Sequence, residues 1–219
     1  MSKNTIKIAN CSGFYGDRLS AAKEMVDGGP IDVLTGDYLA ELTMAILYGQ
    51  KIQRGEKAGY VGTFLKQLKQ IASSCSEKNI KVVSNAGGLN PKSMAEEVKN
   101  ILDSEGLNLK VAYIDGDDFM DKFDELKKNG EELKNLDTGV SLFKQSLSAV
   151  SANYYLGCWG IKKALDEGAD IVICPRVTDA ALVMGPAAWK FNWSRDDYDE
   201  LAGSLAAGHI IECGAQATG

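Results

Sequence analysis

The chain is short of the residues that several functions depend on. It has one histidine and five cysteines among 219 residues. The cysteines, at 11, 75, 158, 174 and 213, form no C-x-x-C pair. A lone histidine with scattered thiols argues against a tetrahedral zinc site. An odd number of unpaired cysteines reads as reduced intracellular thiols rather than a disulfide framework. Positive charge is also in deficit, with 24 Lys and Arg against 30 Asp and Glu, a net charge of −6. That balance argues against nucleic acid as a partner, although a local basic pocket for one small anion stays open. No run approaches the ~20 apolar residues of a membrane helix. The opening MSKNTIKIAN lacks the apolar core of a signal peptide. The expectation is a cytoplasmic protein that meets no membrane. Neither G-x-G-x-x-G nor G-x-x-x-x-G-K-[ST] occurs, so neither a dinucleotide fold nor a P-loop is supported.

What is present is an alternation. Hydrophobic residues make up 45% of the chain, enough for a sizeable core in one domain spanning 1–219. Short β-rich runs at 5–9, 31–34, 80–84, 109–114 and 170–174 alternate with helical patterns. The helices are expected at about 18–27, 38–52, 60–74, around 94–102 and 119–126, then at about 151–167, 178–190 and 198–213. The strands are continuous Val/Ile/Leu runs, as burial on both faces requires. This pattern predicts an α/β fold: a mostly parallel sheet with helices on both faces, Rossmann-like and doubly wound. Residues 130–150, punctuated by Gly130, Asp137 and Gly139, form a loop or a small excursion from it.

In open parallel sheets, ligands bind just beyond the carboxyl ends of the strands. The five exits here begin at Asn10, Thr35, Asn85, Asp115 and Pro175, and each carries small or polar residues. The opposite ends, EKN, EGLN and DEGA, are ordinary solvated turns. Helix starts alone explain Asp17, Asn90 and Asp117 as caps. They do not explain Asn10, Ser12 and Asn85 at strand tips, or Arg176 after a buried run. In SNAGGLNPKSM, Asn90 caps a helix that begins at Pro91. The amides of Gly87 and Gly88 either cradle an anion or simply start that helix. Asp37 and Glu41 lie four apart in LTGDYLAELTMAIL, on one face if both are helical. Either they share a raised pKa suited to proton transfer, or Asp37 caps and Glu41 faces the dipole. Arg176 clamps a substrate carboxylate or phosphate, or pairs with Asp179. Thr178 joins it on the rim, while His209 and Glu212 stand three apart on the last helix. Cys11 and Cys174, at strand exits, read as buried thiols before nucleophiles. A Mg²⁺ site from Asp115 and Asp117 stays open, without support from any recognised metal motif.

Several stretches together carry a resemblance: IANCSGFYGDR, DVLTGDYLAELTM, NAGGLNP, CWGIKKALDEGADIVICPRVTDAALVMGP and AAGHIIECGAQATG. The sequence resembles the acyclic terpene utilisation (AtuA-type) family over nearly its whole length. The resemblance implies a bacterial-type cytoplasmic protein linked to citronellol and geraniol breakdown, a route through acyl-CoA intermediates. It singles out Ser12, Gly13, Asp17, Gly36, Asp37, Glu41, Asn85, Gly87, Gly88, Arg176, Thr178, Asp179, His209 and Glu212 as motif positions, without assigned roles. Family members are generally longer and often carry an extra small α+β domain. The chain is therefore expected to be the N-terminal portion of a longer architecture, ending inside the ECGAQATG motif.

Two functions follow as expectations. The first is a catabolic enzyme acting on a small carboxylate or acyl-CoA, by hydration, dehydration or C–C chemistry beside a carbonyl. Asp37, Glu41, Asp179 and His209 would be catalytic. Asn10, Ser12, Asn85, Gly87, Gly88, Arg176 and Thr178 would bind the substrate. The second is a non-catalytic acyl-CoA-binding or scaffolding subunit, with the apolar helix at 38–52 buried on another chain. Either form would be a homo-oligomer or a complex with pathway enzymes.

Overall fold

The computed structural model describes residues 5–146 and 148–218. Five strands form one parallel sheet: β1 (Ile8–Asn10), β2 (Val33–Gly36), β3 (Lys81–Ser84), β4 (Val111–Tyr113) and β5 (Ile171–Ile173). Their spatial order is β1-β2-β3-β5-β4. Among the described residues, eight helices surround them: α1 (Ala21–Gly28), α2 (Glu41–Arg54), α3 (Gly62–Lys78), α4 (Pro91–Ser104), α5 (Phe123–Lys128), α6 (Trp159–Asp166), α7 (Ala181–Phe191) and α8 (Tyr198–Ile211). The α/β fold expected from the periodicity is the fold observed.

Alternate strand residues feed opposite faces, as the pleat dictates. Leu34, Val82, Ile171 and Ile173 join one buried cluster with residues of α1, α3 and α4. Val33, Val83 and Val172 join the other with Ile161, Leu165, Ala181 and Leu182 of α6 and α7. The strand order accounts for this division. From β1 to β4 the chain steps one way across the sheet, and right-handed crossovers put its helices on one face. Between β4 and β5 it steps back, so α6 and then α7 lie on the other. The neighbours β3 and β5 therefore send their following helices to opposite faces, and a crevice opens between their exits.

α8 forms an outer layer against α7. Gly208 permits this stacking, since a Cβ there would lie 2.9 Å from Ala180, and Gly185 does the same between α7 and α6, where a Cβ would lie 2.5 Å from Ile161. Because Gly208 lets α8 press on Ala180, Glu212, one turn further along, arrives beside the β5 exit.

One element departs from the periodicity. The helix expected from 151 begins only at Trp159. Residues 151–157 are extended and lie along the rim. Phe119 donates its N–H to the Ala152 carbonyl, Tyr154 to that of Asp117 and Leu156 to that of Arg176. These strand-like bonds outbid a local helix turn. Residues 130–146 hold a short 3-10 turn, Leu142–Lys144, and a single bridge between Lys134 and Ser141. Among the described residues, no helix is long and apolar enough to cross a membrane.

The α4 start is as the sequence indicated. The Asn90 side chain accepts from the Ser93 N–H, and Pro91 opens the helix. Asn90 Nδ2 also donates to the carbonyls of Glu56 and Ala58, at 2.7 and 3.2 Å. Asn90→Ala removes the cap and leaves two carbonyls short. It is expected to cost about 1–2 kcal/mol, read as a lower urea midpoint with an unchanged slope.

Candidate functional site

The rim is built from β1 inward. Asn10 Nδ2 donates to the carbonyls of Ser12, Ile211 and Glu212, and Asn10 Oδ1 accepts from Thr35 Oγ1. Asn10 thus fastens the end of α8 to the sheet. Gly13 completes the dock: a Cβ there would stand 2.1 Å from the Cys213 carbonyl oxygen. Ser12 is buried, its hydroxyl donating to Phe14 O and its carbonyl accepting from the Asp37 N–H at 2.9 Å.

Asp37 follows β2 and is 3% exposed. Asn85, fully buried at the β3 exit, donates from Nδ2 to Asp37 Oδ1 and accepts the Tyr38 N–H on Oδ1. Asp37 Oδ2 is shielded from solvent and has no hydrogen-bond partner among the described residues. Its carboxyl is pushed up to about 7, first by burial and then by the charge of Asp179. The Asn85 bond and the nearby Leu39 N–H oppose this, and Glu212 adds to it. The partners of Asp37 are therefore Asp179 and Glu212, not Glu41. The helical face expected to unite Asp37 with Glu41 does not form, because the chain is still extended at Ala40 and α2 starts at Glu41. Glu41 is exposed and accepts the Tyr155 hydroxyl. That bond, with the Arg176 charge, holds its carboxyl below the usual range.

Arg176 is 4% exposed. Its Nη1 donates to Asp179 Oδ1 at 2.8 Å and to Val177 O at 2.9 Å. The guanidinium lies 4.1 Å from the Tyr155 ring centroid. The ion pair with Asp179 that the sequence offered for Arg176 is present. Asp117 accepts from Asn153 Nδ2 and from the Arg176 N–H. It is a strut for the rim, while Asp115 is exposed and stands apart. Among the described residues, the acids able to share a cation are Asp37, Asp179 and Glu212, one carboxylate oxygen of each lying within 4.8 Å of the others.

The glycines of NAGGLNP serve packing. The N–H groups of Gly87, Gly88, Leu89 and Asn90 donate to the carbonyls of Cys174, Asn85, Gly59 and Gly87, so these amides are committed to the chain. Burial pushes the Cys11 thiol up to about 12 and raises that of Cys174 further, which disarms both as nucleophiles.

Thr178, Asp179 and His209 line one open depression with Tyr155, Ala180, Ala202, Leu205 and Ala206. His209 is exposed, with Nδ1 4.0 Å from a Glu212 oxygen. The Tyr155 ring also lines a second depression, with Glu41, Met44, Ser151, Asn153 and Arg176. The sequence did not single out Tyr155, Asn153 or a site role for Glu212. NYYLG, with aromatics between Asn and Gly, was a legible sign of extended chain rather than helix.

The fold defines the class: an open parallel α/β protein with a cluster of acids at the carboxyl edge of its sheet, beside a topological switch. Residues 6–219 match the model of the acyclic terpene utilisation family, AtuA, and the chain belongs to that family. No curated protein matches it, nor does any solved structure.

Proposed function

We propose that the chain is an enzyme of acyclic terpene utilisation that acts on a small carboxylate or acyl-CoA intermediate, working on the carbon beside its carbonyl. The observation that carries this reading is the depression at α8. Tyr155, Ala180, Ala202, Leu205 and Ala206 give it an apolar wall, and Thr178, Asp179 and His209 give it a polar end. An aliphatic acyl group suits the wall, and a titratable pair at the end suits proton transfer. Hydration, dehydration and C–C cleavage beside a carbonyl share one elementary step, a proton transfer at the α-carbon of an enolate. In dehydration a base takes the α-proton and the C–H electron pair moves toward the carbonyl oxygen; in hydration and C–C cleavage the enolate is formed by water addition or bond breaking and the same step runs in reverse.

That step is measurable without knowing the whole reaction. Acyl-CoA thioesters and free carboxylates incubated with the protein in D₂O are expected to gain deuterium at the α-carbon, read by mass spectrometry. Asp179→Asn and, separately, His209→Ala should each slow the gain, at least one of them by ~100-fold. Exchange at native rate in both variants would sink the assignment.

A second reading is favoured by the exposed apolar side chains Leu42 and Ile46 on α2 and Tyr198 and Ile210 on α8. Under it the chain is a non-catalytic acyl-CoA-binding or scaffolding subunit. It requires saturable thioester binding with no α-exchange on any compound, and self-association or capture of a pathway enzyme that Leu42→Lys abolishes.

A further inference from the structure

We propose that Asp37, Asp179 and Glu212 bind one divalent cation of the oxygen-seeking kind, Mg²⁺ or Mn²⁺. One carboxylate oxygen of each lies within 4.8 Å of those of the other two. They come from three separate places, the β2 exit, the β5 exit and the end of α8, so no local turn brings them together. Three neighbouring acids alone do not make a site. The independent sign is Asp37 Oδ2, enclosed in a residue 3% exposed and without a donor among the described residues. An ionised carboxylate oxygen can only accept, so left alone in the interior it is costly, and a cation satisfies it.

Charge points the same way. Arg176 pairs with Asp179 at 2.8 Å and offsets one of the three charges. The two that remain match a divalent ion. The donor set is all oxygen, which selects a hard cation over zinc or copper. The cradle is also built rather than fortuitous. Asn85 orients Asp37, Asn10 holds the Glu212 carbonyl, and the Cys213 thiol donates to Glu212 Oε1 at 3.1 Å. Such outer bonds fix the orientation of ligands. Asp179 belongs to both the cluster and the apolar-walled depression, so a bound cation is placed to polarise an oxygen of a molecule held there. Proton transfer would then fall to His209. Only that consequence rests on the function proposed above. The binding itself does not.

The test uses Mn²⁺ alone, with free ion counted by electron paramagnetic resonance. The native chain should bind Mn²⁺ saturably, one ion per molecule, with Mg²⁺ competing. Asp37→Asn and Glu212→Gln should each weaken binding by at least ~10-fold. Asp115→Asn, which alters the acid pair that the sequence offered for Mg²⁺, should bind as the native chain does. Circular dichroism confirms the fold of each variant, and the two ligand variants lie on separate elements, so one folded variant suffices. No saturable binding up to about millimolar Mn²⁺, or binding left intact by Glu212→Gln, overturns the proposal. The two proposals fail separately: α-exchange that persists in chelator removes the cation and keeps the enzyme, and Mn²⁺ binding without α-exchange does the reverse.

Discussion

In a chelating buffer, Asp37→Asn gains stability over the native chain as the pH rises, by about 4 kcal/mol above pH 7. The carboxyl moves from an ordinary 3.8 to about 7 in the folded protein. At ~1.4 kcal/mol per pH unit, that displacement comes to about 4 kcal/mol. The sign follows from linkage. The folded state holds this proton more tightly than the unfolded chain, so with respect to this group alone the native protein is at its best below about pH 4. It loses stability as the pH climbs through about 7. Asparagine does not titrate there and escapes the loss. It also keeps its carbonyl toward Asn85 Nδ2 and turns an N–H toward the carboxylates of Asp179 and Glu212, where Asp37 Oδ2 has no donor. Urea melts of both proteins at pH 5 and pH 8.5 give the result as a difference, in which titrating groups remote from Asp37, Asp179 and Glu212 cancel. A gap that stays constant between the two pH values would show that Asp37 is not the strained acid. Saturating Mn²⁺ should close most of the gap at pH 8.5 by stabilising the native chain, since a cation and a proton relieve the same oxygens.

How much of this was legible in the sequence depends on distance along the chain. The strands were legible because a parallel sheet covered on both faces leaves β-branched runs, such as DIVIC and IKVVS, with little polar interruption. The rim was legible in kind, since every exit carries polar or small residues. Its chemistry was not. The nearest acid in sequence, Glu41, turned out to face Tyr155 at the surface. The acids that meet Asp37 are 142 and 175 positions away, at 179 and 212. No periodicity encodes that meeting. It depends on the backward step from β4 to β5, which places the β5 exit beside β3, and on Gly208, which allows α8 to stack on the start of α7 closely enough for Glu212 to reach the rim. The error at 151–157 has a related cause. Its bonds run to Asp117, Phe119 and Arg176, and a long-range partner overrides the local preference.

The same lesson makes Gly87 a discriminating position in the fold. Read locally, a glycine pair before a helix suggests open amides, and Gly87→Ala would then trouble a ligand and leave stability alone. Read in place, Gly87 sits where β3 and β5 part company. A Cβ there would stand 2.6 Å from the Cys174 carbonyl oxygen, 2.7 Å from Pro91 Cβ and 2.9 Å from Pro91 Cα. None of these atoms belongs to a side chain that can rotate away. The carbonyl closes β5 onto the β3 exit by accepting the Gly87 N–H at 3.1 Å, and the proline ring opens α4. Relief therefore requires the two strand exits to separate, which widens the crevice and shifts Asn85 from beneath Asp37. The cost is that of overpacking against a rigid wall, about 3 kcal/mol, and for a chain of this size it lowers the melting temperature by roughly 6–12 °C. Gly49→Ala is the matched control. Gly49 lies inside α2 with nothing within 4 Å of an added Cβ, and alanine there should raise stability by about 0.5–1 kcal/mol through helix propensity. Opposite signs from one chemical change would show that Gly87 is glycine because two backbones meet across it. Equal, small effects at both positions would return the pair to the role of an anion cradle.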